Sequence, residues 1–171
     1  EISSALLTLL SKIALFFDNV LGWPLAVVGY FLIAIYNFRQ KMVILAVTVS
    51  GMTFVCAYGW YKWSQGIHGL QTLDYIAIAS TIIFALILYF LNIKNNKVIE
   101  HIQALITITA LSAWLLIGFK MYLIGWSFML ISHCLLAYVY KQKKANYYVW
   151  LQIISIIIAF IKLIEIIFSN N

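Results

Sequence analysis

The chain has 171 residues, of which 65% are hydrophobic and 9% charged, and a formal net charge of +6. A soluble domain is about half apolar and about a quarter charged, and a globule of this size still exposes about a third of its unfolded surface. So much apolar surface excludes a cytosolic enzyme, a nucleic-acid-binding domain and a disordered protein, and predicts a polytopic membrane protein of one domain.

A membrane-spanning helix needs about 20 mostly apolar residues. Cutting the sequence at charges and turn residues predicts seven helices, at 2–17, 20–37, 42–63, 74–93, 99–119, 121–140 and 147–168. The first is short and carries Lys12 in its interior; an amphipathic helix lying in the membrane plane is its alternative. The connections are short: Asp18-Asn19, the basic 39–41 stretch, KNNK at 94–97 and KQKKAN at 141–146. The longest is SQGIHGLQTL at 64–73. The chain opens on Glu1 with no basic segment followed by a small-residue cleavage site, so no signal peptide is expected.

Loop charge sets the expected orientation. The connections after the second, fourth and sixth helices hold Arg39, Lys41, Lys94, Lys97, Lys141, Lys143 and Lys144, seven of the 11 basic residues. Lys62 and Lys120 stand on the other side, and Lys12 and Lys162 lie inside helices. This predicts a cytoplasmic N-terminus and an outer C-terminus. Trp23, Trp60, Trp63, Trp114 and Trp126 then fall toward the outer side and Trp150 toward the inner. An interfacial aromatic belt accounts for most of them, and the skew leaves room for an aromatic vestibule that opens outward. Cys56 and Cys134 sit in apolar runs and read as small packing residues.

The second and sixth helices begin alike, GWPLAVVGYFLIAIYNFRQK from Gly22 and GWSFMLISHCLLAYVYKQKK from Gly125. At an offset of 103, Gly22 matches Gly125, Trp23 matches Trp126, Leu32 matches Leu135, Ala34 matches Ala137 and Lys41 matches Lys144. Four crossings separate the copies, so both run in one direction. The expected architecture is two parallel three-helix repeats, 1–63 and 99–168, joined by a linker helix at 74–93. Parallel repeats related by an axis along the membrane normal are a transporter design, with the substrate held between the halves.

The Gly22 segment followed by YGWYKW at 58–63, QALITITALSAWLL at 103–116 and the Gly125 segment resemble the Pnu family of bacterial vitamin transporters, whose best-known class is the PnuC-type nicotinamide riboside transporter. The resemblance covers about residues 20–64 and 100–160. It implies the same three-one-three topology and uptake of a vitamin or its precursor by facilitated diffusion across the bacterial inner membrane, with a cytoplasmic kinase trapping the product. Leu123 stands where the family places Asn one turn before a Trp, and Val47–Val49 where it often has Gln. Nicotinamide riboside is therefore the first candidate substrate, and thiamine or riboflavin the next. A homo-oligomer is compatible with this reading. The alternatives are a vitamin-binding subunit of an energy-coupled importer and a non-transporting membrane assembly subunit. Such importer subunits use an AxxxA docking face, and no two alanines here are four apart.

Polar side chains at membrane depth usually face the bundle interior. The midplane set is Tyr30, Thr53, Thr107, Thr109, Ser112, Ser132, His133, Gln152 and Ser155. The Ser and Thr members commonly bond back to their own helix. Tyr30 and His133 occupy matching positions of the two repeats, and Gln152 offers both a donor and an acceptor. A flat vitamin needs stacking surfaces and a few oriented hydrogen bonds. The candidate binding set is Trp114, Trp126, Trp60, Trp63 and Trp23 for stacking, with Tyr30, His133 and Gln152 for orientation. Glu165 is expected to pair with Lys162 at i,i+3. No phosphate loop, HExxH or Cys/His cluster occurs, so neither an enzyme nor a cofactor or metal is expected.

Overall fold

A computed structural model describes residues 2–66, 71–93 and 97–169. The parts of two connections at 67–70 and 94–96, with His68 and Lys94, lie outside the described residues, as do Glu1, 170 and 171. Seven helices follow in order: α1 (Ile2–Phe16), α2 (Gly22–Arg39), α3 (Val43–Ser64), α4 (Thr72–Asn92), α5 (Val98–Gly118), α6 (Tyr122–Gln142) and α7 (Asn146–Ser169). Each end lies within two residues of its expected position, and no strand occurs among the described residues. Five helices, α3 to α7, are long and apolar enough to cross a membrane, which makes the chain a multi-pass membrane protein by length and composition.

The helices are amphipathic in the inverted sense. On α1 the buried residues are Ser4, Thr8, Ser11, Lys12 and Leu15, while Ile2, Leu6, Leu10, Ile13 and Phe17 face outward. On α7 Gln152, Ser155 and Lys162 are buried, and Ile153, Ile157, Phe160, Ile161, Ile164 and Phe168 are exposed. In water this arrangement would waste apolar surface. In lipid it is favourable, because polar groups must find partners inside the protein and small residues allow close packing. A helix lying in the membrane plane would turn Lys12 to water, whereas Lys12 is 1% exposed inside the bundle.

Six helices close a ring. α1 packs on α2 and α7, α2 on α3, α3 on α5, α5 on α6, and α6 on α7. α4 stands outside that ring, against α5 and α3. It is held at its first turn by Asp74. The Asp74 carboxylate accepts hydrogen bonds from Lys62 Nζ at 2.7 Å, Tyr58 Oη at 2.6 Å and the Gln71 backbone N–H at 2.6 Å. On the ring, Lys162 Nζ donates to the Phe16 carbonyl at 2.7 Å and lies 4.8 Å from the Phe16 ring centre. It thereby ties α7 to the C-terminus of α1, where orphan carbonyls and the helix dipole attract a cation. The expected Lys162–Glu165 pair is present at 3.3 Å.

Two kinds of turn occur twice. After α2, Met42 N–H donates to the Asn37 carbonyl at 2.9 Å around Lys41 at φ 58°. After α6, Ala145 N–H donates to the Tyr140 carbonyl at 3.0 Å around Lys144 at φ 56°. After α1, Asn19 N–H donates to Ala14 around Asp18 at φ 53°, and after α5, Met121 N–H donates to Leu116 around Lys120 at φ 59°, both bonds at 2.9 Å. All four are six-residue helix stops with a left-handed residue. That conformation costs an L-residue about 1–2 kcal/mol, and a lysine there is partly compensated by the helix C-terminal dipole.

The helix crossing that follows also recurs. A Cβ built on Gly22 would lie 2.5 Å from Leu15 Cγ and 2.7 Å from the Ser11 carbonyl oxygen. One built on Gly125 would lie 2.8 Å from Ile117 Cγ1 and 3.3 Å from the Ala113 carbonyl oxygen. Glycine is the side chain these two crossings admit.

Candidate functional site

The ring interior is layered. α2 rises about 1.5 Å per residue, so Trp23 and Asn37 lie about 21 Å apart along it, with Tyr30 midway. At the Trp23 end, Trp23 meets Trp63 at 5.4 Å and Trp114 at 5.7 Å between ring centres, edge to face. Trp114 in turn meets Tyr30 at 5.3 Å. Trp63 Nε1 donates to the Gly118 carbonyl at 3.1 Å, and Lys120 Nζ lies 5.6 Å from the Trp63 ring. The Trp23 ring occupies the space a side chain at Gly59 would need. Edge-to-face pairing follows the ring quadrupoles and makes this a rigid lid of indoles.

At the opposite end the rings are tyrosines. Tyr140 stacks on Tyr148 at 5.1 Å, and Tyr36 lies against Tyr148 at 4.6 Å. Ser4 Oγ and Tyr148 Oη share a hydrogen bond of 2.9 Å. Asn37 Nδ2 donates to Tyr140 Oη at 3.3 Å.

Between these layers lies an enclosed space of about 20 Å³ bordered by Lys12, Tyr30, Thr48, His133, Tyr140 and Gln152. That is room for about one water. His133 Nδ1 and Gln152 Oε1 are 2.5 Å apart; with Oε1 accepting, Nδ1 carries the proton and Nε2 a lone pair. Nε2 is buried with no partner. The Tyr30 hydroxyl faces the Trp114 indole nitrogen without a hydrogen bond of ordinary length. Lys12 Nζ lies 5.9 Å from the Tyr30 ring centre. Thr48 and Thr107 hydroxyls bond each other at 2.8 Å, joining α3 to α5.

The structure therefore brings Tyr30, His133 and Gln152 to one space, with Trp114, Trp23 and Trp63 forming its lid on one side. Trp126 is buried at 1% exposure, its Nε1 without a partner. Trp60 is 46% exposed on the outer surface and joins neither layer. The aromatic-belt expectation needs correction. Trp23, Trp114 and Trp126 are 0%, 1% and 1% exposed, so a belt accounts for Trp60 and Trp150 and not for most of the set. Trp23 is buried because Gly59 and Gly118 leave a ring-sized gap that it fills, and Trp114 because it packs on Trp23 and Tyr30.

Of the midplane hydroxyls, Thr53, Thr109, Ser132 and Ser155 bond back to carbonyls three or four residues earlier, at 3.1, 2.7, 2.9 and 2.7 Å. They are helix-packing groups. Cys56 is fully buried near the centre, whereas Cys134 is exposed on the outer face. The composition-based reading of the site left out Lys12, Thr48, Asn37, Tyr140 and Tyr148. For Lys12 a signal existed: Ser4, Thr8, Ser11 and Lys12 recur at helical spacing and form a polar stripe on one face. No family model, curated protein or solved structure matches the chain.

Proposed function

We propose that the chain is a membrane transporter of the Pnu type, taking up a small water-soluble vitamin or precursor by facilitated diffusion. The reading takes α1–α3 and α5–α7 as parallel repeats and α4 as the linker. One observation supports it above the rest. Asn37 and Tyr140 are separated by the repeat offset of 103 and touch each other. A residue and its repeat mate can meet only near the axis that relates the halves, so this contact fits a pseudo-two-fold axis running through the ring. The recurrent turns and glycine crossings support the same relation. A polar space on that axis, closed at both ends by rings, is where such carriers hold their cargo.

The indoles supply stacking surface and the Tyr30, His133 and Gln152 groups supply orientation. With room for about one water, the described state is the occluded one. Loading a vitamin requires the halves to part at the indole or the tyrosine layer, and alternation between the two openings is transport. The resemblance puts nicotinamide riboside first, then thiamine and riboflavin. The loop charges put the N-terminus in the cytoplasm and the C-terminus outside.

Purified protein in liposomes should take up one labelled vitamin saturably without ATP or a partner. Binding without uptake would instead identify an importer subunit, and absence of both an assembly subunit. A cysteine at position 143 should resist an impermeant reagent applied to intact cells; labelling there would reverse the orientation.

A further inference from the structure

The central space is bordered by a lysine with no acidic side chain beside it. Lys12 is 1% exposed and borders the space. Among the described residues its ammonium has no hydrogen bond and no ion pair. Asp74 pairs with Lys62 and Glu165 with Lys162. Asp74 is in the first turn of α4 and Glu165 in the last turns of α7, away from the middle of the ring. The polar groups that share the space with Lys12 carry no carboxylate: Tyr30, whose ring centre lies 5.9 Å from Nζ, Thr48, His133, Tyr140 and Gln152.

A buried ammonium without a counter-charge is strongly unfavourable, and ionisable groups at membrane depth mark substrate paths. Its surroundings are also chosen for an anion. The Tyr30 hydroxyl is an unengaged donor beside it. His133 Nε2, an acceptor when Nδ1 donates to Gln152, can take a proton from a hydroxyl or N–H elsewhere on the same molecule. A cationic cargo would find no acid bordering this space to offset its charge.

We propose that the transported molecule is a monoanion, whose carboxylate pairs with Lys12 and the Tyr30 hydroxyl while a hydroxyl or N–H group donates to His133 Nε2. The proposal rests on the transporter reading and moves carboxylate-bearing vitamins ahead of nicotinamide riboside and thiamine, which are cations. Loading forms a charge-assisted hydrogen bond between the carboxylate and Lys12.

The test uses the full chain in nanodiscs and matched probes: nicotinate against nicotinamide, and pantothenate against pantothenol, by titration calorimetry in chloride-free buffer. The acid of at least one pair should bind at least 10-fold tighter than its neutral partner. Lys12→Met should erase that preference, and Lys12→Arg should keep part of it. Lys12→Met should also melt no lower than the parent, since it removes an unpaired charge. The proposal is overturned if no acid binds, if the neutral partners bind as tightly, or if the preference survives in Lys12→Met. Stabilisation by chloride alone that needs Lys12 also overturns it, because the anion is then separate from the cargo. Liposome uptake separates the two readings. Uptake of a cation unaltered in Lys12→Met keeps transport and removes the anion site. Lys12-dependent acid binding without uptake of any probe keeps the site and removes transport.

Discussion

Residues 11–41 and 113–144 pass through the same pair of helix stops and the same glycine crossing, yet they place different chemistry inside. Lys12 stands where the second passage has Trp114, counted by the offset of 102 that relates their turns. Tyr30 stands opposite His133 at 103, and Asn37 meets Tyr140. Backbone repetition therefore depends on a few positions: the left-handed residue, the carbonyl that accepts from the N–H five residues on, and a glycine where two helices touch. The interior is free to diverge because no backbone hydrogen bond depends on it.

Several substitutions would break or sharpen this comparison. The largest effect is expected where the halves differ most. Lys62 and Glu165 hold matching positions, but Lys62 pairs with an Asp74 side chain only 1% exposed, whereas Glu165 is 50% exposed. Asp74→Ala leaves a buried ammonium without its carboxylate and should destabilise by about 3 kcal/mol, read as a lower melting temperature in detergent. It should also loosen α4, visible as faster hydrogen exchange at Gln71 and Tyr75.

Next come the crossings. Gly22→Ala and Gly125→Ala should each cost about 1–3 kcal/mol by overpacking. Gly22→Ala should cost more, because its Cβ would lie 2.7 Å from a backbone oxygen, while at Gly125 the matching distance is 3.3 Å. Equal melting temperatures for the two variants would remove this distinction.

A smaller effect tests the axis. Asn37→Ala and Tyr140→Phe should each lose about 1 kcal/mol, and the double variant should lose no more than the larger single, since each removes the same Asn37–Tyr140 contacts. Additive losses would mean that the two side chains act independently. Smallest is Glu165→Gln, expected to change stability by less than about 1 kcal/mol, as for an exposed ion pair.

The helices were legible because each is an apolar run of membrane length bounded by charge. Short apolar runs such as α1 were harder, since Lys12 lowers the apolar count at the very place where it serves the interior. Tyr30, His133 and Gln152 could be grouped from the sequence because a polar group at membrane depth is costly and usually turns inward, and the three border one space. Asn37 and Tyr140 were not, because they lie beside basic helix ends and resemble interfacial residues. Their contact joins α2 to α6 across the ring, a property of packing rather than of composition. The indoles misled for a related reason: an indole at a membrane edge and one sealed between helices have the same sequence signature until their glycine neighbours are located.

The enclosed space also bears on electrical insulation. A file of waters relays protons, and a space of about 20 Å³ between a lid of indoles and a stack of tyrosines is too small to hold one. An elementary charge crossing a membrane at 100 mV gains about 2.3 kcal/mol, and the packed ring offers it no continuous wet path. A membrane can therefore carry this protein in many copies and still keep its voltage.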